Sequence, residues 1–163
     1  DVTVVTKLHP KNHGTNTARR LIEESAARFG GYVDVFLQHY LTCWDGLCGA
    51  GWRDTVEGDW RDSWRAMEVA YDEGKVKAIG VSNVGPREVD EHMKFARIKP
   101  HVVQAWMDPF HSSSKLRETC EKHNIRFMAY STLGTQWSMQ GHGNPVLSSS
   151  KLREYGDPAR VAL

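Results

Sequence analysis

WRAMEVAYDEGKVKAIGVSN, residues 64–83, decides the fold. Trp60, Trp64 and Met67 begin a helix, and Gly74 ends it, as glycine does just beyond a helix terminus. KVKAIGVSN then reads as a short buried strand, with its core at Ala78–Ser82. That strand stops at Ser82 and Asn83, two side chains able to form hydrogen bonds. A helix, a glycine stop and a short apolar strand together make the repeating unit of a parallel sheet.

The same alternation extends in both directions, without any internal sequence repeat. Upstream, Thr3–Leu8 is a continuous apolar strand. Asn16 or Thr17 can cap a helix that runs to Phe29, with Leu21, Ile22, Ser25 and Phe29 on one face. Gly30 and Gly31 close that helix, and Val33–His39 is the second strand. Downstream, Pro86 opens a helix, where its missing N–H costs nothing. Val102–Trp106 is the fourth strand. Ser114 can cap a helix through His123 that Asn124 closes, and Arg126–Tyr130 is the fifth strand. Right-handed crossovers put every helix on one side if such a sheet curls toward a barrel.

Two stretches fall outside the alternation. A loop from Tyr40 to about Asp59 carries Trp44, Trp52 and four glycines. Loops of that length in a compact domain are functional or disordered, and tryptophan argues against disorder. Beyond Gly134 the chain is rich in Gly and Ser, and Asp157 before Pro158 marks a further helix start.

Bulk composition excludes several classes. The chain has 163 residues, 40% hydrophobic and 25% charged, which suits one globular domain, residues 1–163, with a real core. A formal net charge of +1 implies no polyanion-binding face, so no nucleic-acid partner is expected. No apolar run approaches the ~18 residues of a membrane span. Cys43 and Cys48 share a loop but lack the two further ligands of a zinc site, so no metal is expected. Cys120 reads as a packing residue. The odd cysteine count and the lack of a leader favour a soluble protein of a reducing compartment, cytoplasmic or inside an organelle. The chain opens at Asp1, not Met, almost directly on a strand, which suggests a processed, truncated or partly represented chain.

Every strand ends in a residue able to do chemistry: Lys7, His39, Ser82 with Asn83, Gln104 and Tyr130. In strand–helix barrels, catalytic groups sit at such carboxyl ends. A lysine near a phenol lowers its pKa and readies it to donate a proton. A histidine beside them can orient a carbonyl. Ser82, Asn83 and Gln104 together match a planar amide, which both donates and accepts. Tyr130 offers a ring for stacking. Taken singly, each also has an ordinary structural reading: a snorkelling lysine, a satisfied core histidine, turn residues and a packed tyrosine.

The combination is more specific. VVTKL, IEESAARFGGYVDVFLQH, WRAMEVAYDEGKVKAIGVSN, ARIKPHVVQ and IRFMAYSTLG, in this order, resemble the aldo-keto reductase family from Val2 to about Gly134. KLREYGDPARVAL is a fainter echo of the helix before that family's last strand. The resemblance implies an α/β fold of the (β/α)8 TIM-barrel type. It also implies NADPH-dependent interconversion of carbonyls and alcohols. Lys7 then matches the lysine that tunes the proton-donating tyrosine, and His39 the histidine beside the substrate carbonyl. Ser82, Asn83 and Gln104 match the groups holding the nicotinamide carboxamide. Tyr130 matches the tyrosine stacking on the ring, and Ser131 and Leu133 lie where the next loop meets the pyrophosphate.

The departures set a second expectation. Asp108 stands where many members have histidine before proline, and Thr132 where many have proline after serine. The resemblance places the donor tyrosine and its partner aspartate upstream of this chain, and the grip on the 2′-phosphate downstream. What remains is an incomplete five-stranded parallel arc with outer helices, strands three to seven of eight. Two readings stay open. One is an NADP(H) enzyme acting on a small carbonyl substrate, inactive as this chain alone. The other is a silent structural subunit, with no cofactor bound and other protein subunits covering its open sheet edges.

Overall fold

The computed structural model describes residues 2–163. Its five strands are β1 (Val5–Leu8), β2 (Val33–Gln38), β3 (Val76–Ser82), β4 (Val102–Trp106) and β5 (Arg126–Tyr130). They form one sheet in sequential order, and every neighbouring pair is parallel. The connections require this, because a parallel neighbour is reached only through a crossover. Helix α1 (Thr15–Arg28) joins β1 to β2. The next crossover holds α2 (Asp45–Cys48), a 3-10 turn (Trp52–Asp54) and α3 (Trp60–Asp72). Helices α4 (Pro86–Phe95) and α5 (Ser114–Lys122) supply the last two. Four short helices follow β5: α6 (Thr135–Met139), α7 (Pro145–Ser148), α8 (Ser150–Arg153) and α9 (Pro158–Val161).

The sheet has a heavily packed face and a lightly packed one. Leu8, Phe36, Ile79, Val81 and Val103 are buried with helix residues Ile22, Trp64, Met67, Val89 and Leu116 in the main core. Each such burial is worth roughly 1.5–3 kcal/mol for a large aliphatic or aromatic side chain. The second cluster is small: Val35, Leu37 and Val102, with Val5, Ala78 and Met128 beside them. Gly80 lies next to this cluster. A Cβ there would collide with the Val102 carbonyl and the Leu37 side chain, so β3 needs glycine for close approach.

Several local expectations are corrected. Neither Asn16 nor Thr17 caps α1; the cap is Gly14. The first-turn amides of Asn16 and Thr17 donate instead to the Glu57 carboxylate, at 3.0 and 2.8 Å. A distant carboxylate wins because it serves two orphan amides at once and sits at the positive end of the helix. Ser113, not Ser114, precedes α5; it has φ 47° and its hydroxyl donates to the Trp106 carbonyl at 2.7 Å. Phe29 is 49% exposed, because α1 ends at Arg28 and the chain turns away. Ala18, Ile22 and Ala26 form the buried face. His39 falls one residue past β2, and Thr3 precedes β1.

The cysteines are also corrected. Cys43 and Cys48 form a disulfide, their Cα atoms 5.8 Å apart across the turn of α2. They therefore lend no support to a reducing compartment. Cys120 is buried and free. Among the described residues, no helix is long and apolar enough to cross a membrane, and no cluster of three or more His, Cys, Asp or Glu could hold a metal.

Candidate active site

The parallel register brings the carboxyl ends of the strands together. A cleft of about 410 Å³ opens there, lined by Lys7, His39, Ser82, Asn83, Gln104, Tyr130 and Ser131. Five segments separated by up to 124 positions thus meet at one rim. Leu133 does not line it; its carbonyl instead accepts the Asn144 side-chain amide at 2.8 Å. A larger cleft, about 740 Å³, lies at the opposite, amino ends of the strands. Two of its basic groups are engaged elsewhere: His123 with Asp90 at 2.8 Å, and Lys99 with the Met93 carbonyl at 2.8 Å. The smaller cleft is the candidate, because it gathers the strand-end residues Lys7, His39, Ser82, Asn83, Gln104 and Tyr130.

Lys7 and His39 form one wall. Partial burial lowers the Lys7 pKa. His39 is also lowered, first by burial and then by the positive charge of Lys7. Both shifts favour the neutral forms. A neutral imidazole keeps one N–H to donate and one nitrogen to accept.

Asn83 organises the centre. Its backbone is left-handed at φ 55°, and that of Ser131 is at φ 54°. Asparagine tolerates this conformation, whereas at serine it costs about 1–3 kcal/mol. The Asn83 amide donates to the His39 carbonyl at 3.0 Å and to the Ser82 hydroxyl at 3.1 Å. Its oxygen accepts from the Tyr130 hydroxyl at 2.6 Å. Tyr130 has its pKa raised by burial and then by Tyr40 nearby. It is therefore a tethered donor to Asn83.

Gln104 differs from its neighbours. It is 7% exposed, and its side-chain nitrogen donates to the Met128 sulfur at 2.9 Å. Its oxygen is buried and has no partner. An unpaired buried carbonyl costs about 1–3 kcal/mol, so its presence needs an explanation.

Residues not singled out from the sequence complete the cleft: Tyr40, Leu47, Gln136 and Met139. Tyr40 adjoins His39, and Leu47 lies on α2 in the Trp-bearing loop. Gln136 and Met139 lie on α6, where composition gave no helical signal. His13 pins the Tyr40 end of the loop. Its Nε2–H donates to the Tyr40 carbonyl at 3.0 Å, leaving Nδ1 to accept from the Ser63 hydroxyl at 2.9 Å. Glu57 pins the other end through α1.

Comparisons with known proteins bear on the family and the fold. A family model described as the aldo/keto reductase family matches residues 1–151. A curated Trypanosoma cruzi protein named 9,11-endoperoxide prostaglandin H2 reductase is 32% identical over all of this chain and 53% of its own length. Glyoxal reductase of Bacillus subtilis is 31% identical over 98% of this chain and 52% of its own length. Among solved structures, apo Gox0644 aligns with TM-score 0.75 at 28% identity, covering 97% of this chain and 53% of the other. A Bombyx mori aldo-keto reductase in complex with NADP aligns with TM-score 0.77 at 24% identity over 98% and 51%, which speaks to the fold alone. The chain spans about half the length of the curated relatives it matches.

Proposed function

Because the chain belongs to the aldo/keto reductase family, we propose that its cleft holds the nicotinamide end of NADP(H) beside a small carbonyl substrate. The observation that carries this reading is the unpartnered Gln104 oxygen, which fits the amide N–H of a carboxamide. The Ser82 hydroxyl accepts from the Asn83 side-chain amide and keeps its own O–H to offer the carboxamide oxygen. NADPH, when bound, supplies a hydride to the carbonyl carbon. The chain's own residues orient and polarise that carbonyl. Neutral His39 donates a hydrogen bond to its oxygen. The Lys7 ammonium adds positive charge where negative charge develops.

Proton supply is the weak point of the cleft as it stands. Tyr130 is committed to Asn83, and its raised pKa makes it a poorer donor. General acid catalysis is worth roughly 10²–10⁴-fold in rate. The 163-residue chain alone is therefore expected to bind nucleotide better than it turns substrate over.

A fluorescence titration with NADPH tests the reading. Saturable binding, displaced by NADP⁺, is the expected result. A folded chain that shows no saturable signal would defeat it.

One observation favours a second reading, a catalytically silent structural subunit. β1 and β5 each pair on one side only, and every residue of β5 is at least partly exposed. Open edges invite pairing with another chain. Size-exclusion chromatography with hydrogen exchange separates the cases. A monodisperse monomer with slow exchange in both edge strands would remove the motive for a covering partner.

A further inference from the structure

We propose that Asp108 is a positioning residue that fixes α6 as the outer wall of the cleft. The proposal takes its ligand, NADP(H), from the reading above. Asp108 lies two residues past β4 and is 5% exposed. One carboxylate oxygen accepts from the indole N–H of Trp106 at 2.7 Å and from that of Trp137 at 2.8 Å. The other accepts from the Phe110 amide at 2.7 Å.

The three donors come from two separate parts of the chain. Trp106 ends β4, and Trp137 lies on α6, beyond β5. The two indoles meet edge to face, with ring centres 5.0 Å apart. His111 stacks on the far face of this unit, 3.9 Å from Trp106 in ring centres and within 10° of parallel. A two-way backbone bridge between Asp108 and His111, both bonds 3.0 Å, holds the loop that carries the carboxylate.

What the clamp holds faces the ligand. Gln136 and Met139, on either side of Trp137 in α6, line the cleft with Ser131. Helix α6 has only five residues, too short to be stable by itself. None of its residues is fully buried. Its place therefore rests on the Asp108–Trp137 bond together with the contact between the two indoles. The acceptor must be a carboxylate. Three N–H donors converge, and only an acceptor-only group meets all of them without opposing a donor to a donor. Histidine, expected here from the resemblance, has one acceptor nitrogen at most.

Loss of the clamp lowers the fraction of time α6 stands as the wall. If that fraction falls to about a tenth, apparent ligand affinity falls about tenfold. Two variants test this. Asp108→Asn sets an amide N–H against an incoming donor, and Trp137→Phe removes one donor while keeping the ring. Each is expected to raise the NADPH dissociation constant roughly tenfold. Each should also speed exchange of the hydrogen-bonded amides of Trp137, Gln140 and His142, with β3 protection unchanged. The double variant should be no worse than the poorer single one, because both cut the same bond. Asp90→Asn, at a distant ion pair, serves as the control.

Unchanged exchange at these amides in both variants would overturn the proposal, as would fully additive effects. If Asp108→Asn speeds β3 exchange as well, it has unfolded the chain, and Trp137→Phe decides. If the parent chain binds no NADPH, the functional reading falls. The exchange at residues 137–142 then decides the clamp by itself.

Discussion

Replacing Gln104 with methionine should stabilise the ligand-free chain and weaken nucleotide binding. The two side chains are similar in length, so the substitution leaves no large cavity. It removes a buried oxygen that has no partner, which costs about 1–3 kcal/mol. It also removes the contact of the Gln104 nitrogen with the Met128 sulfur, a weak acceptor worth less than about 1 kcal/mol. The balance favours the variant by about 1 kcal/mol, or roughly 2–4 °C in melting temperature for a chain of this size. Binding moves the other way. One neutral hydrogen bond to the carboxamide, about 0.5–1.5 kcal/mol, is lost, and affinity falls up to roughly tenfold. Calorimetry of both chains with and without NADPH reads both quantities. A variant that melts lower would show that Gln104 serves the fold. One that melts higher yet binds NADPH equally well would show that its oxygen does not meet the ligand.

Three other outcomes are expected. Burial holds His13 below its ordinary pKa, so its contribution to stability is complete above about pH 6.5 and is lost as pH falls through the lower folded value; urea midpoints at pH 7.5 and 5 should differ, and His13→Gln should flatten the difference. Glu57 is held below the usual carboxylate range, first by the Thr17 hydroxyl, and acts in the same sense below about pH 4.5. Glu57→Ala should therefore speed amide exchange at Asn16 and Thr17 at neutral pH, and equal exchange in the two chains would sink that account. Steady-state assay of the 163-residue chain with NADPH and an aromatic aldehyde should give no measurable turnover, and rates like those of ordinary reductases would overturn the view of Tyr130 as a committed donor.

The strands and crossover helices were legible because apolar runs and glycine stops are local signals. Gly74 ends α3 and Asn124 ends α5, each in the left-handed conformation its type tolerates. The strand-end residues were legible for the same reason, since a strand's last residue is visible in one dimension. What escaped depends on distant partners. The Glu57 cap of α1 bridges 40 and 41 positions, and no pattern near Asn16 announces it. Gln136 and Met139, which line the cleft, flank Trp137, and its partner Asp108 lies 29 positions away. In the sequence Tyr130 reads as a ring for stacking, and the resemblance implies the same role. Its hydroxyl bond to Asn83 follows from the left-handed turn at Asn83, which becomes visible only when β3 and β5 flank β4.

The unequal packing of the two sheet faces has an evolutionary consequence. The large cluster beneath the helices secures the fold, whereas the small cluster of Val35, Leu37 and Val102 lies on the face that leads up to Gln104 and His39. Gly80 apart, a replacement on that lighter face meets fewer buried partners than one beneath the helices. A change there can therefore reshape the binding floor at a smaller cost to the fold. The architecture of such a sheet and its choice of ligand can change separately.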